Sequence, residues 1–206
     1  DLLSFFYQHN EDFKTRIGHG RSKQSYLRYD IVYKHLRNHI RLAYHHEDIT
    51  MGSVTIQMIN AFEKYLRVDV GLRNNTVWVY MIAFKHIVSL ARATGAIHID
   101  PFLTFKNRFE QVERGYLTEE ELQRVLLFQT GNATQAYVRD LFLFAAFTGL
   151  CYADVKALRW DNVRTLFDGQ TWIVTRRRKT NTPSNLLLLD VPRQIMERLG
   201  ERDARS

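Results

Sequence analysis

The sequence predicts a mainly α-helical protein with a small antiparallel β-sheet near its C-terminal end, divided into two domains. Three observations carry this. Up to Gly95, apolar residues recur at helical spacing. After an aperiodic polar stretch, Thr118-Glu119-Glu120-Glu121 reads as a fresh helix start. Beyond it, two strand-like runs flank a polar tip rich in Thr and Asn. With 206 residues, 45% of them hydrophobic, the chain is long enough to bury a core in one large domain or two small ones.

The first periodic segment runs from Lys23 to His46, with Tyr29, Val32, Tyr33, Leu36, Ile40, Ala43 and Tyr44 on one face. Lys34, Arg37 and Arg41 form a basic stripe on another side. A shorter helix is expected from Val54 to Val70, with Ile56, Ile59, Phe62, Glu63 and Leu66 on one side and Gly71 as its stop. A long helix follows, N-capped by Asn75, with Tyr80, Phe84, Ile87, Val88 and Ala91 inward and Gly95 at its end. Lys85, Ser89 and Arg92 share its polar side, so two helices combine an apolar face with a basic stripe.

Residues 97–101 read as extended, and the polar stretch 106–115 as the domain boundary. The expected division is a helical domain over 1–105, a linker over 106–115 and a second domain over 116–206. In the second domain, Tyr137 to Phe147 reads as a buried helix ending at Thr148-Gly149. Asp154 opens the next helix, with Val155, Leu158 and Trp160 inward. Thr171 to Thr175 and Leu186 to Val191 form a hairpin around residues 179–185. A third strand over residues 163–167 is turned by Asp168-Gly169. Pro192 starts a last helix that is expected to end at Gly200.

A net charge of +7 and a pI near 9.6 favour a polyanionic partner such as DNA, RNA or an anionic membrane. The single cysteine, Cys151, excludes an intramolecular disulfide and fits a reducing cytoplasm. Leu2 to Phe6 lacks the basic flank and cleavage site of a signal peptide, and no apolar run is long enough to span a bilayer. A soluble, cytoplasmic protein is expected. His35 and His39 lie one helical turn apart, but no acidic or cysteine ligand is placed to complete a metal site, so they read as solvated or DNA-facing and no metal is expected. Tyr26, Trp78 and Tyr80 read as core aromatics rather than base-stacking platforms.

The stretch from Thr148-Gly149-Leu150-Cys151 through Asp154 to Trp160 breaks an apolar helix and restarts it in an amphipathic turn. It resembles the first active-site box of the tyrosine recombinases, the phage-integrase family of DNA strand-exchange enzymes. The resemblance extends from about Leu2 to Leu199 and is closest to integrases of mobile elements in the Bacteroides group. It implies a SAM-like helical core-binding domain first, and then the N-terminal part of an α+β catalytic domain opening at Tyr116-Leu117-Thr118. Arg178-Lys179-Thr180 with Pro183 resembles the hairpin that carries the family's catalytic lysine.

In that family a tyrosine attacks a DNA phosphodiester, a 3′-phosphotyrosyl bond stores its energy, and cationic donors neutralise the phosphate oxygens without a metal or cofactor. By resemblance, Lys179 is the general acid that protonates the departing 5′ oxygen. Cys151 stands where the family carries an arginine, and a thiol cannot make a guanidinium's bidentate, permanently charged grip. On its own terms the cysteine reads as a small apolar residue at a buried turn. Arg176, Arg177 and Arg178 are candidates to supply the missing cation, while Asp154 caps or orients its neighbours. Lys34, Arg37, Arg41, Lys85 and Arg92 are the candidate DNA contacts.

The family's His-x-x-Arg box and nucleophilic tyrosine would follow the lysine hairpin, and these 206 residues hold neither. The expectation is a fragment of a bacterial, DNA-associated integrase that binds duplex DNA without cutting it. It would be a monomer in solution and could self-associate on DNA, where the family works as tetramers. The alternatives are a non-catalytic regulator or competitor of a full-length integrase, and a basic helical module that engages protein or RNA.

Overall fold

The computed structural model describes residues 1–203, with side chains to Gly200. The chain divides into two compact units, Asp1–Glu113 and a second that begins at Arg114.

The first unit contains four α-helices: α1 (Leu2–Thr15), α2 (Lys23–Tyr44), α3 (Ile56–Val68) and α4 (Asn74–Ala93), with a short 3-10 turn at Met51–Ser53. Their inward faces meet in one apolar core that includes Phe6, Leu36, Ile40, Phe62, Leu66, Phe84 and Ile87, each fully buried. Phe62 and Phe84 meet edge-on at 5.5 Å, as do Phe84 and Phe102, which suits the ring quadrupoles.

Helix α1 has no counterpart among the sequence expectations because its start signal is not local. Asp48, 45 residues away, accepts the Leu3 N–H at 2.7 Å and the Ser4 N–H at 2.9 Å, and Ile49 O accepts the Leu2 N–H at 2.8 Å. A distant segment therefore satisfies the free amides of the first turn. Helices α2 and α3 carry their own caps: Ser22 Oγ accepts the Ser25 N–H and Thr55 Oγ1 accepts the Met58 N–H. On α3, Met58 joins Ile59, Phe62 and Leu66 in the core. Glu63, expected on that face, is instead partly exposed and paired with Arg67 one turn on, as a charge at the edge of an apolar stripe requires.

The N-cap of α4 is Arg73, and Asn75 lies inside the helix. The Asn75 amide is engaged elsewhere: Nδ2 donates to Glu110 O at 2.8 Å, and Oδ1 accepts the Glu110 N–H at 2.9 Å. Asn74 Nδ2 donates to Arg108 O, and the Phe109 ring meets Trp78 at 5.3 Å, so the polar stretch after residue 105 is laid along the start of α4. Residues 97–101, expected to be extended, instead form bends leading into a turn, because Asp100 Oδ1 accepts the Phe102 N–H and folds the chain back to bury Phe102.

The second unit contains α5 (Glu119–Leu127), α6 (Ala133–Thr148), α7 (Tyr152–Ala157), strands β1 (Val163–Thr165), β2 (Thr171–Arg176) and β3 (Pro183–Leu187), and α8 (Asp190–Asp203). The strands form one antiparallel sheet in the order β1-β2-β3. Helix α5 opens with the reciprocal Thr118–Glu121 box. Asn132 caps α6 by accepting the Thr134 and Gln135 N–H groups, and α6 ends at Gly149, whose φ of 65° is the left-handed conformation open to glycine.

The core of this unit is smaller, built on Leu143, Phe144, Leu150, Ile173, Leu188 and Ile195. Strand β3 starts earlier and ends sooner than Leu186 to Val191, because pairing of Arg176 with Pro183 sets the register and Asp190 begins α8. Gly200 does not end α8. A Cβ there would lie 3.0 Å from Trp160 Nε1, so this glycine accommodates an indole rather than a helix stop. Trp160, expected inward, is 49% exposed: one edge rests near Gly200 and the other faces solvent.

Candidate nucleic-acid interface

In the first unit the expected contacts lie on two helices. On α2, Lys34 pairs with Asp30 at 2.7 Å and Arg41 pairs with Glu47, so both cations are already partly neutralised. The Arg37 guanidinium lies over the Tyr33 ring at 5.9 Å, and its Nε is buried without a hydrogen-bond partner. On α4, Lys85, Ser89 and Arg92 are exposed, with the Lys85 ammonium 6.0 Å from the Phe102 ring and Arg92 3.8 Å from Asp100. Lys85 and Arg37 are the two of these five without an ion pair among the described residues, and of the two Lys85 is the exposed one.

His39 is neither solvated nor outward. It is 5% exposed, 5.6 Å from the Phe62 ring and 5.2 Å from Tyr65, with Nε2 unpartnered. Burial holds its pKa below the ordinary imidazole value, and the Asp69 charge opposes that only in part. His35 is half-buried against Tyr80 at 5.8 Å. Among the described residues, no group of three or more His, Cys, Asp or Glu could hold a metal ion.

In the second unit the turn between α6 and α7 is built residue by residue. Thr148 Oγ1 donates back to Phe144 O at 2.7 Å, Gly149 reverses the chain, and Leu150 is buried. Cys151 follows as the N-cap of α7 and is exposed, which corrects the buried-turn reading: Leu150 and Asp154 fill the interior instead. Asp154, 5% exposed, accepts the Arg178 backbone N–H at 2.8 Å. That bond, then the Cys151 thiol and N–H and the Arg177 charge, hold its carboxyl below the usual range against a smaller opposing effect of burial.

The same bond ties the β2–β3 hairpin to the Cys151 turn. At the hairpin tip, the Arg177 N–H donates to Thr182 O at 2.9 Å and the Asn181 N–H to Arg177 O at 2.7 Å. Arg176 Nε donates to Asn181 O and Oδ1 at 3.1 and 3.0 Å. Lys179 lies between these fixed points, exposed, with no ion pair or hydrogen bond to its ammonium among the described residues. Cys151, Asp154 and the run Arg176 to Lys179 are thus drawn into one locality, although more than twenty residues separate them in sequence. Asn181 was not among the sequence candidates; its place in a polar hairpin tip, where Asn tolerates the left-handed region, was the available signal.

Residues 1–109 match the family model of the phage integrase SAM-like domain. The chain belongs to the phage integrase SAM-like domain family. Among curated proteins, none matches this integrase-family chain by sequence. Among solved structures it is similar to a lambda integrase tetramer bound to a Holliday junction, at 17% identity and a TM-score of 0.71 over 96% of this chain and 54% of that one. It is also similar to a lambda integrase dimer bound to a COC′ core site, at 17% identity and a TM-score of 0.72 over 97% and 69%. The Tn1549 transposon integrase in complex with circular intermediate DNA gives 15% identity and a TM-score of 0.69 over 97% and 64%. At these identities the likeness is one of fold: a helical unit followed by helices with a small three-stranded sheet. The SAM-like chain spans about half to two thirds of the length of these integrases. No helix among the described residues is long and apolar enough to cross a membrane.

Proposed function

We propose that this chain is the core-binding unit and the first part of the catalytic unit of a DNA strand-exchange enzyme, and that it binds duplex DNA at recombination core sites. The observation that carries the reading is the Asp154–Arg178 bond, which sets the hairpin bearing Lys179 beside the Cys151 turn. Membership of residues 1–109 in an integrase domain family supports it independently.

In this reading, phosphates are tracked by Lys85 and Arg92 on α4 and by Lys34, Arg37 and Arg41 on α2. Lys179 is the general acid for the departing 5′ oxygen, and Arg177 and Arg178 supply cationic donors where Cys151 offers none. The tyrosine nucleophile acts from outside these 206 residues, so they bind DNA and do not cleave it. The chain is a monomer in solution and self-associates on paired DNA sites.

Titration of a labelled duplex at several salt concentrations tests this. Affinity must fall with salt, with a log–log slope of about 0.9 for each phosphate neutralised. Weak, salt-insensitive binding even at low ionic strength overturns it. A phosphotyrosyl adduct on a nicked substrate overturns the division between binding and cleavage.

A second reading is favoured by one observation. The exposed Cys151 carries no permanent charge where the family carries an arginine, which suits a non-catalytic binder that competes with a complete integrase for its sites. The two readings separate when Cys151→Arg is placed in a complete enzyme: the first predicts at most a modest gain in cleavage, the second a gain from none.

A further inference from the structure

Asn181 has a φ of 55°, and it and His45 are the two non-glycine residues with positive φ among those described. A left-handed non-glycine residue is held there by its surroundings, and here the Arg176 side chain and the Asn181 N–H bond to Arg177 O hold it. Arg176, the last residue of β2, closes both the carbonyl and the side-chain amide oxygen of Asn181 onto its Nε. Its cross-strand partner Pro183 has no N–H to donate, so beyond that pair the tip is held by these contacts together with the Arg177 N–H to Thr182 O and Asn181 N–H to Arg177 O bonds. On the near side of Lys179 the chain is pinned by Arg178 on Asp154; on the far side it is pinned by Asn181 on Arg176 and Arg177.

We propose that Arg176 and Asn181 are positioning residues that hold the hairpin tip so that Lys179 presents its ammonium to the nucleic-acid backbone. This rests on the DNA-binding reading above. It gives Arg176 a role distinct from replacing the missing arginine, because its Nε is committed to the tip. Pre-organisation matters because a lysine on a loose tip loses conformational freedom on binding, whereas one on a fixed tip has already lost part of it.

The discriminating variant is Asn181→Gly, which tolerates φ of 55° and keeps every charge and the carbonyl acceptor, but removes Oδ1. Duplex affinity is measured for the unaltered chain, Asn181→Gly, Lys179→Ala and the double variant, with amide exchange of residues 177 and 181 in parallel. The expected result is faster exchange at both amides in Asn181→Gly, and a severalfold loss of affinity that vanishes in the Lys179→Ala background, as coupled residues require. Equal losses in both backgrounds, or no loss where Lys179→Ala itself weakens binding, overturn the proposal. Unchanged exchange at 177 and 181 overturns it whatever the DNA result. Failure of the unaltered chain to bind duplex at all sinks the DNA reading instead, and the exchange measurement then judges the clamp alone.

Discussion

The Asp154 carboxylate and the Arg178 backbone N–H meet at 2.8 Å, joining the first turn of α7 to a hairpin 24 residues further along the chain. The carboxylate is buried and the hairpin tip over residues 176–183 is solvent-exposed, so this bond is the anchor through which a polar loop acquires a fixed base. A charge-assisted bond to a main-chain N–H is among the stronger polar contacts available to a protein, and it is insensitive to which side chain position 178 carries.

Asp154→Ala is accordingly expected to free the Arg178 amide for exchange and to lower the melting temperature of the second unit, with Asp154→Asn falling between because it retains an acceptor. The sign with pH follows from the depressed carboxyl. Its contribution is complete above the ordinary value of 3.8 and is lost as pH falls through the lower folded value. Protection of the Arg178 amide at pH 5 that disappears only below 3.8 would bear this out; protection already lost at pH 5 would contradict it.

The first unit is expected to be acid-sensitive at a much higher pH. Burial lowers the pKa of His9, His35 and His39 from the ordinary 6.5. Histidines depressed in the folded state give full stability above the unfolded value, and this is lost as pH drops from there towards the folded values. Urea midpoints at pH 7.5 and 5.5 should therefore differ, and His39→Phe, which fills an aromatic pocket and removes an unpartnered Nε2, should narrow the gap.

Asp48→Ala should destabilise the first unit by about 1–2 kcal/mol, the usual cost of losing a helix cap. The loss should be confined to α1, seen as faster exchange at the Leu3 and Ser4 amides with α3 and α4 unaffected. An unchanged denaturation midpoint would mean that water replaces the carboxylate without penalty.

Asp140 is 6% exposed and bonded to Arg139 at 2.8 Å and to Arg198 at 3.4 Å, which links α6 to α8. Asp140→Ala leaves the largely buried Arg139 guanidinium with Phe128 O as its remaining partner, and removal of one partner of such a pair costs up to about 3–5 kcal/mol. With so small a core, the second unit should unfold or become readily proteolysed. Arg198→Ala removes a half-exposed partner and should cost under about 1 kcal/mol.

Among the expected DNA contacts, Lys85→Ala should lower the salt slope by about 0.9, the full contribution of one phosphate. Lys34→Ala and Arg41→Ala should change it less, since Asp30 and Glu47 already neutralise those cations. Equal effects from all three would show that the ion pairs open on binding.

Much of the fold was legible because its signals are local. The Thr118–Glu121 box, the glycine after α6, the apolar stripe of α4, that of α2 up to Ile40 (Ala43 and Tyr44 beyond it are exposed) and the Asp168-Gly169 turn each act within a few residues, so they can be read from the chain. What was misread depends on distant partners. Helix α1 is capped by Asp48, Asn75 binds Glu110 instead of capping α4, Gly200 makes room for Trp160, and His39 lies beneath Tyr65.

The candidate site divides in the same way. Residue types and motif order by themselves determined the mainly helical class, the small sheet and the integrase-family membership of this protein, since periodicity, caps and turn residues act over one or two turns of chain. Only the tertiary structure decided that Cys151 is exposed, that Asp154 grips the Arg178 amide and that Arg176 is tied to Asn181. Those outcomes depend on which surfaces burial brings together, and burial is settled by the packing of the whole unit.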